Sequence, residues 1–397
     1  MKITRIQPFI CSAGWRPWIF VKVETDEGIV GYGECSEHSL PRGVASSVQD
    51  LEKVLVGRDP RQVEALNADM FRVIRQSPGG VAQKAIAGIE LALWDIKAKA
   101  LGVPVYELFG GPVRRRIRMY WSHCGTSRAQ FGQIIGTPPL RSLADVAALG
   151  KEVVKRGYTA LKTNIVIPGD PAVVHMPGFV GNYASSELGI ADLDLNVSGR
   201  LVNRLEDLIG TFREAVGPDV DIALDLNFNF KTEGFLRIAK AMEQFKLMWL
   251  EIDTYDPRSL ALIRQSTSTP ICSGENLYTP RGYRPYLEAY TMDVAMIDIP
   301  WNGFSVSKKV ADLADAYEVN IAPHNYYSHL STLISANLCA ICSNIRILEV
   351  DVDDVPWKDE FVTEPPEIKD GYLTMPTKPG WGADLDEDAL EKYAWFK

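Results

Sequence analysis

The chain has 397 residues, of which 46% are hydrophobic and 23% charged, and its formal net charge at pH 7 is −9. This length supports a large core and two domains, and the composition is ordinary for a globular protein. The acidic balance argues against a nucleic-acid partner, because phosphate binding needs a basic face. The first residues hold no apolar core of signal-peptide length, and no stretch approaches a membrane span. We therefore expect a cytoplasmic protein without a membrane partner.

The first 115 residues are predicted to form an α+β domain. Three runs with strand character fill residues 1–36, and the segment ETDEG between the second and the third is typical of a tight hairpin turn. Residues 43–101 are predicted to be helical, because apolar residues recur at helical spacing. Gly102 is expected to end the last of these helices.

Strand and helix patterns then alternate through residues 116–355, with eight strands and seven intervening helices. This alternation predicts an α/β fold, a modified TIM barrel of the (β/α)7β type. The stretch 166–198 is an exception, because it has no sustained periodicity and is far longer than an ordinary βα loop. The tail, residues 356–397, is rich in Pro, Asp and Gly and is predicted to fold back on the first domain.

The most informative pattern in the barrel region is a series of polar residues that each close a short apolar stretch. Successive members are 26, 24, 23, 26 and 25 residues apart, about the length of one strand, one helix and two loops. Chemistry in βα barrels sits where the strands end. Clustered anions repel one another there, and a divalent metal is the simplest compensation. The series consists of Asp225, Glu251, Glu275, Asp298, His324 and Glu349.

The first three acids predict one Mg²⁺ ion. Asp225, Glu251 and Glu275 end consecutive strands, and Mg²⁺ prefers oxygen ligands and leaves positions for substrate oxygens. Asn227 shares the inward face of Asp225 if the strand continues, and we place it among the substrate-binding residues. The alternative is that these acids pair with Lys or Arg around the barrel rim. Because the acids end three consecutive strands, this interpretation is the weaker one.

His324 is the candidate general base, because a neutral imidazole can take a proton near pH 7. Asp298, on the preceding strand, would fix the tautomer of the ring and support the imidazolium. For an isolated histidine, a structural hydrogen bond would be the better interpretation. The place of His324 in the series favours a catalytic role.

With this series, and with the segment IELALWDIKAKALGVPVYELFGG (residues 89–111), the chain resembles the enolase superfamily, specifically its mandelate racemase subgroup. The resemblance covers nearly the whole length. It implies a capping domain on the barrel, one Mg²⁺, a small carboxylate substrate and abstraction of the proton α to that carboxylate. It also implies that a protonated Glu349 donates a hydrogen bond to the substrate, with a rim salt bridge as the alternative. Such relatives are commonly oligomeric, so we expect a homo-oligomer.

The second barrel strand ends in Lys162-Thr163-Asn164, where many relatives carry Lys-x-Lys and use the second lysine as a base. Side chains alternate along a strand, so Lys162 and Asn164 both point inward. Asn164 cannot take a proton at neutral pH. Lys162 lies deeper and would contribute positive charge or bind an oxygen, and an ion pair with Asp225 or Glu251 is the alternative.

A single evident base argues against racemisation, which needs an acid and a base on opposite faces of one carbon. It favours elimination of water from a sugar acid, an aldonate or aldarate, to give a 2-keto-3-deoxy acid. The Lys-x-Asn pattern is similar to that of galactonate-type dehydratases, but those carry a histidine where this chain has Asn227. An epimerase, racemase or cycloisomerase is the alternative within the family, and an inactive binding barrel the alternative outside it.

The acid that protonates the leaving hydroxide stays open at this point. The candidates are His324, Tyr326, His175 and Tyr183, whereas His329 is expected to begin the next helix.

Substrate specificity is expected to come from two loops of the first domain, residues 12–18 and 36–43. Trp15, Arg16 and His38 suit a polyhydroxylated acid, although an ordinary surface loop explains each of them equally well. Arg16 and Lys162 are the cations expected to contact substrate oxygens.

Overall fold

The computed structural model describes residues 1–179 and 195–395. The chain opens with a three-stranded antiparallel sheet whose strand order follows the sequence. The loop expected at residues 12–18 is instead a tight hairpin turn at Gly14 and Trp15, with Gly14 at φ +72°. Arg16 therefore lies at the start of a strand. The strands are β1 (Ile3–Ala13), β2 (Arg16–Thr25) and β3 (Val30–Glu34).

Three helices follow the sheet where residues 43–101 were predicted to be helical, and the first and the third of them pack against it. They are α1 (Pro41–Leu55), α2 (Val63–Val73) and α3 (Gly80–Leu101), followed by a 3-10 turn at Val105–Phe109. The last helix ends at Gly102, which adopts a left-handed conformation at φ +69°. Most of α3 is buried, because β3 packs on one side of it and the barrel helices on another.

The approach of β3 to α3 gives a first testable prediction. A methyl group added at Gly33 would lie 2.1 Å from the carbonyl oxygen of Gly88, so sheet and helix would have to separate. We expect Gly33→Ala to lower the free energy of unfolding by about 1–3 kcal/mol. Gly199→Ala is the matched control, because no described atom lies within 4 Å of its added methyl group and the residue opens a helix. Equal urea midpoints for the two variants would contradict this packing.

Eight parallel strands form the barrel predicted from the sequence. They hydrogen-bond in the order β4-β5-β8-β9-β10-β11-β12, and β13 pairs with the free side of β4. A bridge between Ile321 and Ile345 closes the ring. In chain order the eight barrel strands are β4 (Arg116–Ser122), β5 (Ala160–Thr163), β8 (Asp221–Asp225), β9 (Trp249–Glu251), β10 (Ile271–Ser273), β11 (Val294–Asp298), β12 (Asn320–His324) and β13 (Leu348–Asp351). Between β5 and β8, strands β6 (Val166–Ile167) and β7 (Val173–Val174) form a separate small hairpin inside the long 166–198 stretch.

The barrel helices agree with the predicted alternation, with two additions. Both α4 and the short α10 were not predicted, because neither carries a long amphipathic pattern. His329 begins a helix, as expected. The helices are α4 (Thr126–Ile135), α5 (Leu143–Lys155), α6 (Gly199–Val216), α7 (Thr232–Met242), α8 (Pro257–Gln265), α9 (Thr279–Glu288), α10 (Ile299–Asn302), α11 (Phe304–Ala316) and α12 (His329–Ile341). No helix among the described residues is long and apolar enough to cross a membrane.

The tail contacts both the barrel and the first domain. It contains a 3-10 turn at Lys358–Phe361, then β14 (Ile368–Lys369), β15 (Tyr372–Thr374) and α13 (Glu387–Lys392). Strand β15 pairs antiparallel with β4, which extends the barrel sheet outward.

Trp381 anchors the tail on the first domain. Its side chain is fully buried, its backbone N–H donates to Asp95 at 3.1 Å, and its indole N–H donates to the carbonyl oxygen of Tyr32 at 3.0 Å. The domain boundaries at residues 115 and 355 stay a prediction.

Candidate active site

A histidine–aspartate pair lies at the carboxyl ends of two neighbouring strands. In the register of β11 and β12, Asp298 stands directly beside His324. The Nδ1 of His324 lies 2.7 Å from Asp298 Oδ2, and Tyr327 Oη donates to the same oxygen at 2.5 Å. The backbone N–H of Trp301 donates to the other oxygen at 2.9 Å. Since a carboxylate only accepts, Nδ1 carries hydrogen, and Nε2 is left facing Glu275 at 3.4 Å.

Three carboxylates end the three strands before this pair. Asp225 and Glu251 are register partners on β8 and β9, and Glu275 follows β10. Asp225 and Glu251 are buried, and the Glu275 side chain is 14% exposed. Both oxygens of Glu251 accept from Lys162 Nζ, at 2.9 and 3.0 Å. In the part of the chain that the structure describes, no three His, Cys, Asp or Glu side chains stand close enough together to hold a metal ion as they are oriented.

The cavity around these groups holds an excess of negative charge. Burial raises the pKa of Glu275 to about 8, with Asp253 adding to the rise and His324 opposing it. Burial acts to lower the pKa of His324, but Glu275, Glu349 and Asp298 outweigh it and raise that pKa to about 10. The carboxylates around the ring therefore favour the protonated form of the imidazole, and His324 as the general base stays a prediction.

The chemistry of this donor set fits a hard divalent cation. All three side chains offer carboxylate oxygens, the ligands that Mg²⁺ prefers. Each carboxylate has about four lone-pair sites, so the bonds that Glu251 accepts from Lys162 leave it capacity for another partner. Asp225, Glu251 and Glu275 as Mg²⁺ ligands stay a prediction.

Lys162 is locked inside the barrel. Its Nζ lies 2.9 Å from both Glu251 Oε1 and Glu349 Oε1, and the side chain is about 2% exposed. The same Glu349 oxygen accepts from Ser122 Oγ, and its other oxygen accepts from the backbone N–H of Asn325 at 2.7 Å. Lys162 thus makes the internal ion pair with Glu251 that the sequence analysis gave as the alternative to binding a substrate oxygen. Glu349 is a further partner.

Glu349 accepts hydrogen bonds from the protein on both of its oxygens. Burial alone would raise its pKa, but the cations Lys162 and His324 outweigh burial and hold the pKa well below its usual range. The donor role toward the substrate that the family resemblance implies for Glu349 stays a prediction.

A cavity of about 210 Å³ opens at this end of the barrel. It brings together seven of the residues selected from the sequence. A larger cavity of about 440 Å³ lies beside Phe228 and Tyr255, but no histidine of the described residues lines it. We therefore place the site in the smaller one. Its lining includes His38, Asn164, Asp225, Asn227, Glu275, His324 and Tyr326.

Two residues selected as substrate contacts do not line this cavity. Arg16 is 2% exposed and bonds Asp351 at 3.2 Å and Asp354 at 2.9 Å, with its guanidinium 3.9 Å from the ring centre of Tyr326. The indole N–H of Trp15 donates to Tyr326 Oη at 2.8 Å. The β1–β2 hairpin turns both side chains inward, so they hold Tyr326 and the adjacent acids. Arg16 and Trp15 as direct substrate contacts stay a prediction.

The remaining candidates for the acid are placed as follows. Tyr326 and His324 line the cavity. The ring of His175 lies 6.2 Å from that of Phe230, and His175 is not part of the cavity lining. Tyr183 lies outside the described residues.

Sequence reasoning missed His123. It lines the same cavity and follows β4, the first barrel strand, so the strand-end rule could have found it. Its ring nitrogen Nδ1 lies 2.7 Å from Asp351 Oδ1, at the end of the last strand. His123 escaped the regular spacing because helices α4 and α5 both separate the first barrel strand from the second.

Comparison with known families agrees with this geometry. Residues 3–110 match the mandelate racemase / muconate lactonizing enzyme N-terminal domain. Residues 145–389 match the enolase C-terminal domain-like family. The chain belongs to the enolase superfamily, in its mandelate racemase subgroup. The resemblance stated from the sequence is confirmed.

Individual members of the superfamily resemble the chain over nearly its whole length. The D-xylonate dehydratase of Haloferax volcanii is 31% identical, over 99% of this chain and 89% of that protein. The D-gluconate dehydratase of Thermoproteus tenax is 31% identical, over 98% and 74%. A solved structure from Burkholderia xenovorans strain LB400, assigned as an L-alanine-DL-glutamate epimerase and bound to magnesium and fumarate, is 41% identical with a TM-score of 0.94, over 99% and 96%.

Proposed function

We propose that this protein is a Mg²⁺-dependent dehydratase of a sugar acid, an aldonate or aldarate, and forms a 2-keto-3-deoxy acid. The observation that carries the proposal is the pair of His324 with Asp298 beside three carboxylates, two of them buried, with Asn164 on the strand where relatives with two bases carry a lysine. Relatives that dehydrate D-xylonate and D-gluconate support it.

Each residue of the pair has a defined task in this reaction. His324 Nε2 takes the proton α to the substrate carboxylate, and Asp298 keeps Nδ1–H in place and stabilises the imidazolium. Tyr327 and Trp301 hold Asp298 through its two oxygens. The imidazole of His324 therefore cannot rotate without breaking its own Nδ1–H bond to Asp298. Asp225, Glu251 and Glu275 would hold a Mg²⁺ ion, which would supply positive charge that offsets these carboxylates and polarises the substrate carboxylate.

An epimerase is the second candidate, because the Burkholderia structure at 41% identity carries that assignment. Epimerisation needs a second base on the opposite face of the α-carbon. Asn164 occupies the strand position suited to that base, and an amide cannot take a proton at neutral pH. The inactive barrel is the weakest candidate, since an inactive site has no use for a fully supported His–Asp pair.

Incubation in D₂O with MgCl₂ and a panel of D-xylonate, D-gluconate and D-galactonate tests the proposal. We expect at least one acid to give a 2-keto acid in a carbonyl assay, and we expect EDTA to abolish the signal. Deuterium at the α-carbon or an epimer, without any keto acid, would favour the epimerase. Absence of both reactions across aldonates and aldarates, together with no Mg²⁺ binding by calorimetry, would favour the inactive barrel.

A further inference from the structure

A second histidine–aspartate pair faces the same cavity. His123 donates from Nδ1 to Asp351 Oδ1 at 2.7 Å, and the ring centre of Tyr326 lies 4.6 Å from its own. The His123 side chain is 16% exposed, and the Asp351 side chain is fully buried. Because Nδ1 is engaged by the carboxylate, Nε2 is the nitrogen left for the cavity.

The backbone of His123 is held in an uncommon conformation. Its φ is +47°, a value that residues other than glycine rarely adopt. The peptide chain turns away from β4 at this residue, directly after Ser122, which donates to Glu349. Such strain at a cavity wall occurs where the surrounding structure fixes one side chain for a task.

Asp351 is prepared to support a charged imidazole. Burial acts to raise the pKa of this carboxyl, but the neighbouring His123, Arg16 and Lys358 outweigh it and hold the pKa below its usual range. Arg16 Nη2 lies 3.2 Å from Asp351 Oδ2, and Lys358 Nζ lies 2.9 Å from Asp354. The carboxylate that faces His123 thus stays ionised, as Asp298 does for His324 in the proposed mechanism.

The order of the strands decides what this pair can reach. His324 ends β12 and His123 follows β4, and β13 is the strand between them. His123 is therefore two strands away from His324, and its strand β4 pairs directly with β5, which leads to Asn164. The ring of His123 thus reaches the cavity from a different side than His324. A proton donor on that side suits an oxygen on the carbon next to the one that His324 deprotonates.

We infer that His123 is the general acid that protonates the departing β-hydroxyl group in the proposed dehydration. The α C–H bond breaks, its proton goes to His324 Nε2, and its electron pair is held in the enediolate. That electron pair then forms the new C=C bond as the β C–O bond breaks, and the departing oxygen keeps the C–O electron pair, takes the Nε2 proton of the His123 imidazolium and leaves as water. The enol then becomes the 2-keto-3-deoxy acid, and the two imidazoles exchange one proton with solvent to reset.

The other cavity residues are poorer donors. Tyr326 is a phenol, and its oxygen accepts from Trp15. Burial, with help from Arg16, lowers the pKa of His38, which disfavours its cationic form. The ring of His123 is bonded to a fully buried carboxylate, that of Asp351.

The inference rests on the proposed function, and a single variant separates the two. His123→Asn keeps a residue type that tolerates positive φ and has an amide N–H that can donate to Asp351. With the acid of the panel that the wild type dehydrates, we expect the keto-acid rate to fall roughly 10²-fold, the usual scale for a lost general acid. We expect exchange of the α-hydrogen in D₂O to persist within a few-fold, because His324 is untouched.

His329→Asn is the matched control. His329 also bonds an aspartate, Asp359, at 2.7 Å, but it does not line the cavity, so its variant should dehydrate at the wild-type rate. Near-normal dehydration by His123→Asn would overturn the assignment while leaving the proposed function intact. Loss of both exchange and dehydration in a variant with native circular dichroism would also overturn it. If His123→Asn does not fold, His123→Gln takes its place with the same two readouts. A wild type that neither dehydrates nor exchanges any acid would instead overturn the proposed function.

Discussion

Replacing His324 by asparagine should lower kcat for dehydration by about 10³–10⁴-fold, the upper part of the range for a lost general base. The same variant should lose α-hydrogen exchange in D₂O, because His324 is the group proposed to take the α-proton. The expected loss of both reactions distinguishes His324 from His123, whose variant should keep exchange. Stopped assays for keto acid and NMR for deuterium incorporation measure the two rates.

The fold should survive the His324→Asn change. The asparagine amide can donate to Asp298, which also keeps its bonds from Tyr327 and Trp301, so no buried acceptor loses all its partners. We expect an unchanged circular dichroism spectrum and Mg²⁺ binding within a few-fold of wild type. Near-normal turnover by a folded His324→Asn protein would show that another group takes the α-proton.

Replacing Lys162 by methionine should lower the free energy of unfolding by about 3–5 kcal/mol, the usual cost of removing one partner of a buried ion pair. Burial would lower the pKa of this lysine, but Glu251 and Glu349 raise it well above its ordinary value, so the side chain is charged. Without Lys162, the fully buried carboxylates of Glu251 and Glu349 lose the cation that lies between them. Urea unfolding in the presence of EDTA measures the effect without a contribution from metal.

Two comparisons make this prediction specific. Lys240→Met removes an exposed ion pair with Glu243. Because the Lys240 side chain is 76% exposed, this variant should have nearly the wild-type urea midpoint. Adding Glu251→Gln to Lys162→Met removes one of the orphaned charges and should recover part of the lost stability. A Lys162→Met protein as stable as the Lys240→Met control would contradict a compensating role for the buried ammonium.

The barrel and the first histidine pair could be predicted from the chain because they depend on repetition. A strand must end about every 25 residues in a βα barrel, and parallel strands bring their carboxyl ends to one rim. That rule alone predicts that Asp298 and His324 are neighbours, and their register on β11 and β12 agrees with it. The capping helices followed from apolar periodicity, and Gly102 from its freedom to adopt positive φ.

Contacts across the barrel and between domains could not be predicted, because they join residues far apart in the sequence. Arg16 suited a substrate contact by type, yet it meets Asp351 and Asp354 more than 330 positions away. Lys162 was expected to pair with Asp225 or Glu251, and it lies within ion-pair distance of both and of Glu349, which reaches it from the strand that closes the barrel.

The barrel and the pair of His324 with Asp298 could be predicted from local periodicity and strand spacing, and the superfamily from the resemblance of the ordered site residues and of residues 89–111. Which carboxylates are neutralised inside the protein, and that His123 shares the cavity, became visible in the folded structure alone. Ring closure places the first strand against the last, and no local pattern encodes which side chains meet there.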